Sequence, residues 1–169
     1  KAHAEKKAAR REFLELGRHY PETQEFQKIP GIGPISAHTF DAYIQTPRRF
    51  ATKQKLWRYC KLGVRKHSSG GKQIRREKLD PAGHGELKVL SHRAVKEALG
   101  GEDHNEVQAS YRASVQRTGD ETHARLNTQR KILATMWGLW KRGTAYNPKL
   151  FYNSNRSNSK RTRKAESSG

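Results

Sequence analysis

Two adjacent hydroxyls, Ser68 and Ser69, stand in the run Gly63-Val64-Arg65-Lys66-His67-Ser68-Ser69-Gly70-Gly71-Lys72. A glycine pair follows them and cations flank both sides. Glycine-loosened backbone lets a hydroxyl approach a phosphate closely, and Arg65, Lys66 and Lys72 can neutralise it. The chemistry that suits these residues is attack of a serine oxygen on a phosphodiester. Ser69, next to the glycines, is the first candidate nucleophile and Ser68 the second. A serine hydroxyl is weak at neutral pH and needs a base, a metal or strong local positive charge. Charge building on the non-bridging oxygens can be offset by Lys72, Arg75 and Arg76. His67 is the nearest base in sequence. In extended backbone the side chain two positions before Ser69 can share its face, and one adjacent to Ser68 points away. No carboxylate is spaced to orient His67. Glu77, Asp80 and Glu86 read as salt-bridge partners in so basic a chain, so no metal site is assigned to it. A Ser-Gly-Gly-Lys run alone is common in loops that do no chemistry, and its weight comes from its neighbours.

The first neighbour is Ile29-Pro30-Gly31-Ile32-Gly33-Pro34-Ile35-Ser36-Ala37. Two glycines permit a tight turn between helices, Ile32 plugs the space between them, and Pro34 suits the first helical position. Amides around Gly31, Gly33, Ile35 and Ser36 then face outward at a helix N-terminus, a place for one phosphate oxygen. This is the helix-hairpin-helix pattern. Its bland alternative is a structural helical hairpin that touches no nucleic acid.

Composition points the same way. In 169 residues, 35 Lys and Arg face 16 Asp and Glu, giving a formal charge of +19. Such an excess repels itself in a compact chain and is most simply explained by a polyanionic partner. Nucleic acid is the first candidate. An anionic membrane is the second, and no long apolar span or strongly amphipathic basic helix supports it. One cysteine, Cys60, excludes an internal disulfide and a zinc ribbon. No histidine pair has helical metal-ligand spacing. No signal peptide is expected from the first residues, and the chain starts at Lys1 with its only methionine at Met136. The expectation is a piece cut from a longer protein.

The elements that must position these residues are mostly helical. Ala9, Phe13, Leu16 and Tyr20 form one stripe of a linker helix over residues 1–20. A short helix should follow Pro21 to about Lys28, and Ala37, Phe40 and Ile44 give the next helix a buried face. Thr52 can cap a helix carrying Leu56, Trp57, Tyr59 and Cys60, with Gly63 just past its end. Residues 72–79 alternate poorly but can form a short strand. Leu87, Leu90, Ala94, Val95, Ala98 and Leu99 predict a helix ended by Gly100-Gly101. Residues 104–117 predict another, with Val107, Tyr111 and Val115 on one side. Asp120 should cap a longer helix with Leu126, Leu133, Met136, Trp137 and Trp140 in a stripe, both tryptophans in the core, stopped by Gly143. From about Asn153 a basic tail is expected to be disordered. The expected fold is mainly α: a helix-hairpin-helix module over 21–63, and a serine-bearing domain with a small irregular or β segment over 64–152.

In order, residues 29–37, Arg49-Phe50, the aromatic helix to Leu62-Gly63, Ser69-Gly70-Gly71-Lys72, Gly83-x-x-x-Leu87-Lys88 and His123-x-Arg125 resemble a known family. It is the C-terminal transposase domain of the DEDD-type insertion-sequence one-ten family transposases, the bridge-RNA-guided recombinases. The resemblance covers roughly residues 22–152. It implies a two-part enzyme that exchanges DNA strands through a covalent serine–DNA intermediate. A RuvC-like domain outside this chain would hold magnesium on a carboxylate quartet. The partners implied are donor and target DNA, a structured noncoding guide RNA and other protomers, as a dimer or tetramer, in a prokaryotic cytoplasm at the nucleoid. Lys88 stands where the family's arginine contacts phosphate, keeping the charge without the bidentate fork. The competing expectations are a non-catalytic helix-hairpin-helix DNA- or RNA-binding module and a structural RNA-binding protein.

Overall fold

A computed structural model describes residues 2–65, 68–69, 72–73, 78–101 and 104–153. The fold is mainly α: α1 (Ala2–Gly17), α2 (Pro21–Phe26), α3 (Pro34–Ile44), a 3-10 turn at Pro47–Arg49, α4 (Lys53–Tyr59), α5 (Gly85–Gly100), α6 (Glu106–Thr118), α7 (Glu121–Arg142) and α8 (Pro148–Asn153). Between α4 and α5 lie four two-residue strands, β1 (Val64–Arg65), β2 (Ser68–Ser69), β3 (Lys72–Gln73) and β4 (Lys78–Leu79).

The longest helix, α7, is the spine and packs on α2, α4, α5 and α6. Its Ile132, Leu133 and Met136 are fully buried, in one apolar cluster with Phe26, Phe40, Leu56, Cys60, Leu87 and Val107. Burying such side chains contributes roughly 1.5–3 kcal/mol each. The same cluster runs from Phe26 to Phe151, so the α2–α3 hairpin and the later helices share one core. Cys60 behaves as a small apolar residue, and burial pushes its thiol up to about 12.

Local chemistry explains where the helices begin and end. The Thr52 hydroxyl accepts from the Lys55 amide (3.3 Å), and Asp120 Oδ1 accepts from the amides of Thr122 (2.7 Å) and His123 (3.1 Å). Each side chain satisfies amides that a first turn leaves open. Gly143, at φ 62°, closes α7. The α4 terminus departs from expectation. Its left-handed residue is Lys61 (φ 55°), and the Leu62 amide reaches back to the Trp57 carbonyl (2.8 Å) in a Schellman arrangement. Gly63 is needed for another reason, since a Cβ there would lie 2.4 Å from Arg58 Cγ.

Three faces differ from the sequence pattern. Trp137 and Trp140 flank the core half-buried, and the Trp137 indole donates to the Pro47 carbonyl (2.7 Å). On α6 the buried residues include Gln108, Ser110 and Ser114, while Tyr111 and Val115 are only partly covered. The α1 stripe is largely exposed, with Leu16 at 60 %. Its anchor is Gly17, where a Cβ would strike the buried His38 ring at 2.0 Å, and Phe13 meets that ring edge-on.

Candidate nucleic-acid interface

The serines belong to paired backbone. Val64 pairs with Leu79 and Arg65 with Lys78, then Ser68 pairs with Gln73 and Ser69 with Lys72, all antiparallel. The innermost pair leaves two residues between its strands, Gly70 and Gly71, the types that two-residue connections favour. Two residues separate β1 from β2, whereas four separate β3 from β4. Lys66, His67, Arg75, Arg76 and Glu77 lie outside the described residues, as do the glycine pair and residues 154–169.

The base of this segment is held by the helical body. The Asp80 amide donates to the Gly63 carbonyl (2.9 Å), and the His84 amide to the Tyr59 carbonyl (2.7 Å). Asp80 is buried, accepts from the Ala82 amide (3.0 Å) and pairs with Arg58 at 3.3 Å. Gly83 makes the turn possible: its φ is +111°, and a Cβ there would sit 2.4 Å from the Tyr59 carbonyl oxygen. Asp80 is thus an ion-pair partner, as its sequence context suggested. Glu86 is exposed in the first turn of α5.

The two glycines of the α2–α3 turn divide their work. Gly31 has φ +85°, and a Cβ there would lie 2.0 Å from the Ala94 carbonyl oxygen of α5. It is a close-packing residue as much as a turn residue. Gly33 is exposed, has φ −86°, and nothing lies within 4 Å of where its Cβ would be. That open space lies in front of the first turn of α3, beside the half-buried Ile35 and Ser36. Gly33, not Gly31, leaves room for something outside the chain.

Helix α5 spaces the two candidate regions. The serine segment joins its N-terminal end through His84 and Gly85, where exposed Lys88 also lies. The α2–α3 turn packs at Ala94 and Ala98. At 1.5 Å per residue the regions are about 14–20 Å apart along the axis. That span equals about four to six nucleotides of a duplex strand, which has a phosphate every 3.4 Å of axis.

A cluster that spacing alone did not assign adjoins the serine segment's base. The Arg49 guanidinium lies 4.6 Å from the Tyr59 ring centroid and donates to the Tyr43 carbonyl (3.2 Å). The His84 ring packs on Tyr59 at 4.6 Å and on Tyr43 at 5.3 Å. Arg49 is exposed at the rim. The dipeptide Arg49-Phe50 was visible in the sequence, but its approach to Tyr59 was not, because a 3-10 turn and α4 create it.

Fold and charge define a strongly basic, mainly α domain. The family model described as Transposase IS116/IS110/IS902 family matches residues 23–112, more than half of the chain, and the chain belongs to that family. It is a transposase domain of mobile insertion sequences, and DNA is what such a domain acts on. No curated protein matches the chain. The matched stretch runs from α2 into α6 and includes both candidate regions; α7 lies beyond it. Among the described residues, no helix is long and apolar enough to cross a membrane, and no three His, Cys, Asp or Glu side chains converge as a metal group.

Proposed function

We propose that this domain supplies the nucleophile of the transposase, with Ser69 attacking the scissile phosphorus of DNA and Ser68 as the alternative. In the step, the serine Oγ–P bond forms as the scissile P–O bond breaks. The serine proton passes to a base outside this chain's described residues, and the leaving DNA oxygen takes up a proton. Rejoining reverses the step with a different DNA hydroxyl, so phosphodiesters are conserved and no high-energy cofactor is consumed. The observation that carries the proposal is the pairing of Ser69 with Lys72 at the inner end of a segment whose base is fixed at Gly63 and Asp80. Fixed backbone orients a nucleophile, and orientation accounts for much of the barrier reduction.

Phosphate positioning falls to Gly33, Ile35 and Ser36 at the α3 N-terminus, with Gly31 setting the turn, and to Arg65, Lys72 and Lys88, joined by Lys66, Arg75 and Arg76. Magnesium demands several hard oxygen ligands, and the described carboxylates do not fit that need. Asp80 is engaged by Arg58 and by the Ala82 amide. In this reading, as the family resemblance implies, the ion would be held by a RuvC-like domain of the whole transposase. A noncoding bridge RNA supplies target choice by base pairing, and protomers of the same protein complete one another's sites.

Covalent capture tests the proposal. Full-length transposase, guide RNA, magnesium and a labelled suicide DNA are combined and resolved on a denaturing gel. An adduct retained in Ser68→Ala and lost in Ser69→Ala is expected. Loss only in Ser68→Ala would transfer the role to that residue. No adduct in a complex that binds its DNA would sink the covalent mechanism and leave a helix-hairpin-helix binding module.

A further inference from the structure

A concavity among the described residues lies away from both candidate regions, along α7 where α4, α6 and the α7–α8 connection border it. It is a groove of about 570 Å³. Five cations line it, Lys53, Arg117, Arg130, Lys131 and Arg142, and no Asp or Glu does. Some basic side chains elsewhere among the described residues pair with acids: Lys28 with Glu25, Arg58 with Asp80, Arg125 with Glu121. Here they face one another.

The cations are held from behind by neutral groups. Lys131 Nζ donates to Ser110 Oγ (3.0 Å), and Arg130 Nε donates to the Leu62 carbonyl (2.8 Å). Trp57 lies under two charges, with Lys53 at 5.5 Å and Arg130 at 5.6 Å from its ring centroid. Its indole donates to the Arg130 carbonyl (3.0 Å), so the platform is locked in place. Asn127 and Arg117 both donate to Ser114 Oγ, at 3.2 and 3.5 Å. The nearby carboxylate Glu106 accepts from the Tyr146 hydroxyl. Half-buried cations without counter-ions carry a repulsion and desolvation cost that a bound anion removes. Burial, then Arg117, pushes Lys131 down to about 8, and burial lowers Arg130 as well.

We infer that this groove is a second nucleic-acid site, in which Lys53, Arg117, Arg130, Lys131 and Arg142 bind the phosphodiester backbone of a strand lying along α7, with Trp57 and Trp137 as its aromatic floor. Four of the five cations come from residues beyond the matched family stretch. The tail over 154–169 holds five Lys and Arg against one Glu, so its sign disfavours self-occupation. A partner with regularly spaced negative charge suits a row of cations better than a single small anion does. The strand can be DNA or RNA, since the phosphodiester is common to both.

The test uses the 169-residue chain and 12-nucleotide single strands of one sequence as DNA and as RNA, with affinities measured across salt concentrations. The variant Lys53→Gln/Arg117→Gln/Arg142→Gln removes charge from the open side and spares the buried Arg130 and Lys131. Each single-strand phosphate contact contributes about 0.7 to the slope of log K against log salt. The triple variant should therefore lower the slope by about 2, against a smaller change for Lys6→Gln/Lys7→Gln/Arg10→Gln on α1. Tighter binding of the RNA strand names RNA as the occupant, and tighter binding of the DNA strand names DNA. Equal slopes for the two variants would overturn the inference. A measurement on the unaltered chain guards against misfolding: the Trp57 and Trp137 indole N–H resonances should shift on titration with either strand. Indoles that stay put while the strand binds would overturn it too. Neither readout depends on Ser69, so this inference and the nucleophile proposal can fail separately.

Discussion

The serine segment and the α7 groove are both basic, yet they treat charge differently. At the serine segment's base, two cations are already engaged. Arg58 pairs with Asp80, and Arg49 lies over Tyr59 and donates to backbone. Those contacts fix geometry. In the groove, Arg117, Arg130 and Lys131 are backed by hydroxyls and carbonyls and lack an acid. At the base of the serine segment these two charges hold a turn, and in the groove the charges are left for the anion proposed above. Counting cations does not separate positioning charges from binding charges; counting their partners does.

Three perturbations break or sharpen this contrast. The largest effect is expected from Gly83→Ala. A side chain at φ +111° costs about 1–3 kcal/mol in backbone strain alone, and its Cβ would strike the Tyr59 carbonyl. Amide exchange should accelerate at Asp80 and His84, and adduct formation should fall, while strand binding in the groove persists. Equal loss at both regions would mean that they are not independent.

Lys131 comes next. Its ordinary value of 10.5 falls to about 8 in the fold, so between those pH values the unfolded chain binds the extra proton. Stability should rise as pH goes from about 8 to about 10.5 and be insensitive to this group below 8. Arg117 of α6, Lys53 of α4, and Arg130 and Arg142 of α7 surround the groove, and Glu106 is engaged by Tyr146. Lys131→Met should remove that rise and increase the melting temperature at pH 7 by a few degrees, about 1 kcal/mol, while weakening strand binding. A variant that is less stable at pH 7 would show that the Ser110 contact outweighs the desolvation.

The smallest effect is expected from Asp41, outside both regions. Burial, then the Glu22 carboxylate, pushes it up to about 6 from 3.8. The folded state holds a proton that the unfolded chain releases, so this stabilisation is present below about 4 and is lost as pH rises through 6. Asp41→Asn should flatten that limb of the thermal-stability profile and raise the melting point slightly at pH 8. Binding at both regions should stay unchanged, which makes it the control for the other two.

Much of the fold was legible because its causes are local. Thr52 and Asp120 cap, Gly143 closes, and Leu87, Leu90, Ala94, Val95 and Ala98 recur at helical spacing; each needs only its own few neighbours. The polar face of α6 was not legible. Gln108 is buried because its amide donates to the carbonyls of Ala98 (3.1 Å) and Gly101 (3.0 Å), a partnership that only the α5–α6 packing creates. Likewise the sequence offered Gly31 and Gly33 as equals, and their different surroundings separated them.

For the candidate site, the sequence by itself determined the inventory: a serine pair beside two glycines, a helical-hairpin turn, a charge of +19 and the family resemblance. Residue types and short spacings carry that information directly. Tertiary structure decided the placement. It set the two candidate regions at opposite parts of α5, brought Arg49 onto Tyr59, and drew Lys53 into one groove with Arg130 and Lys131. Those residues are far apart in the chain, and a cation's burial and partners exist only once helices pack. A lysine's charge is written in the sequence, but whether that charge is paired is settled by the fold.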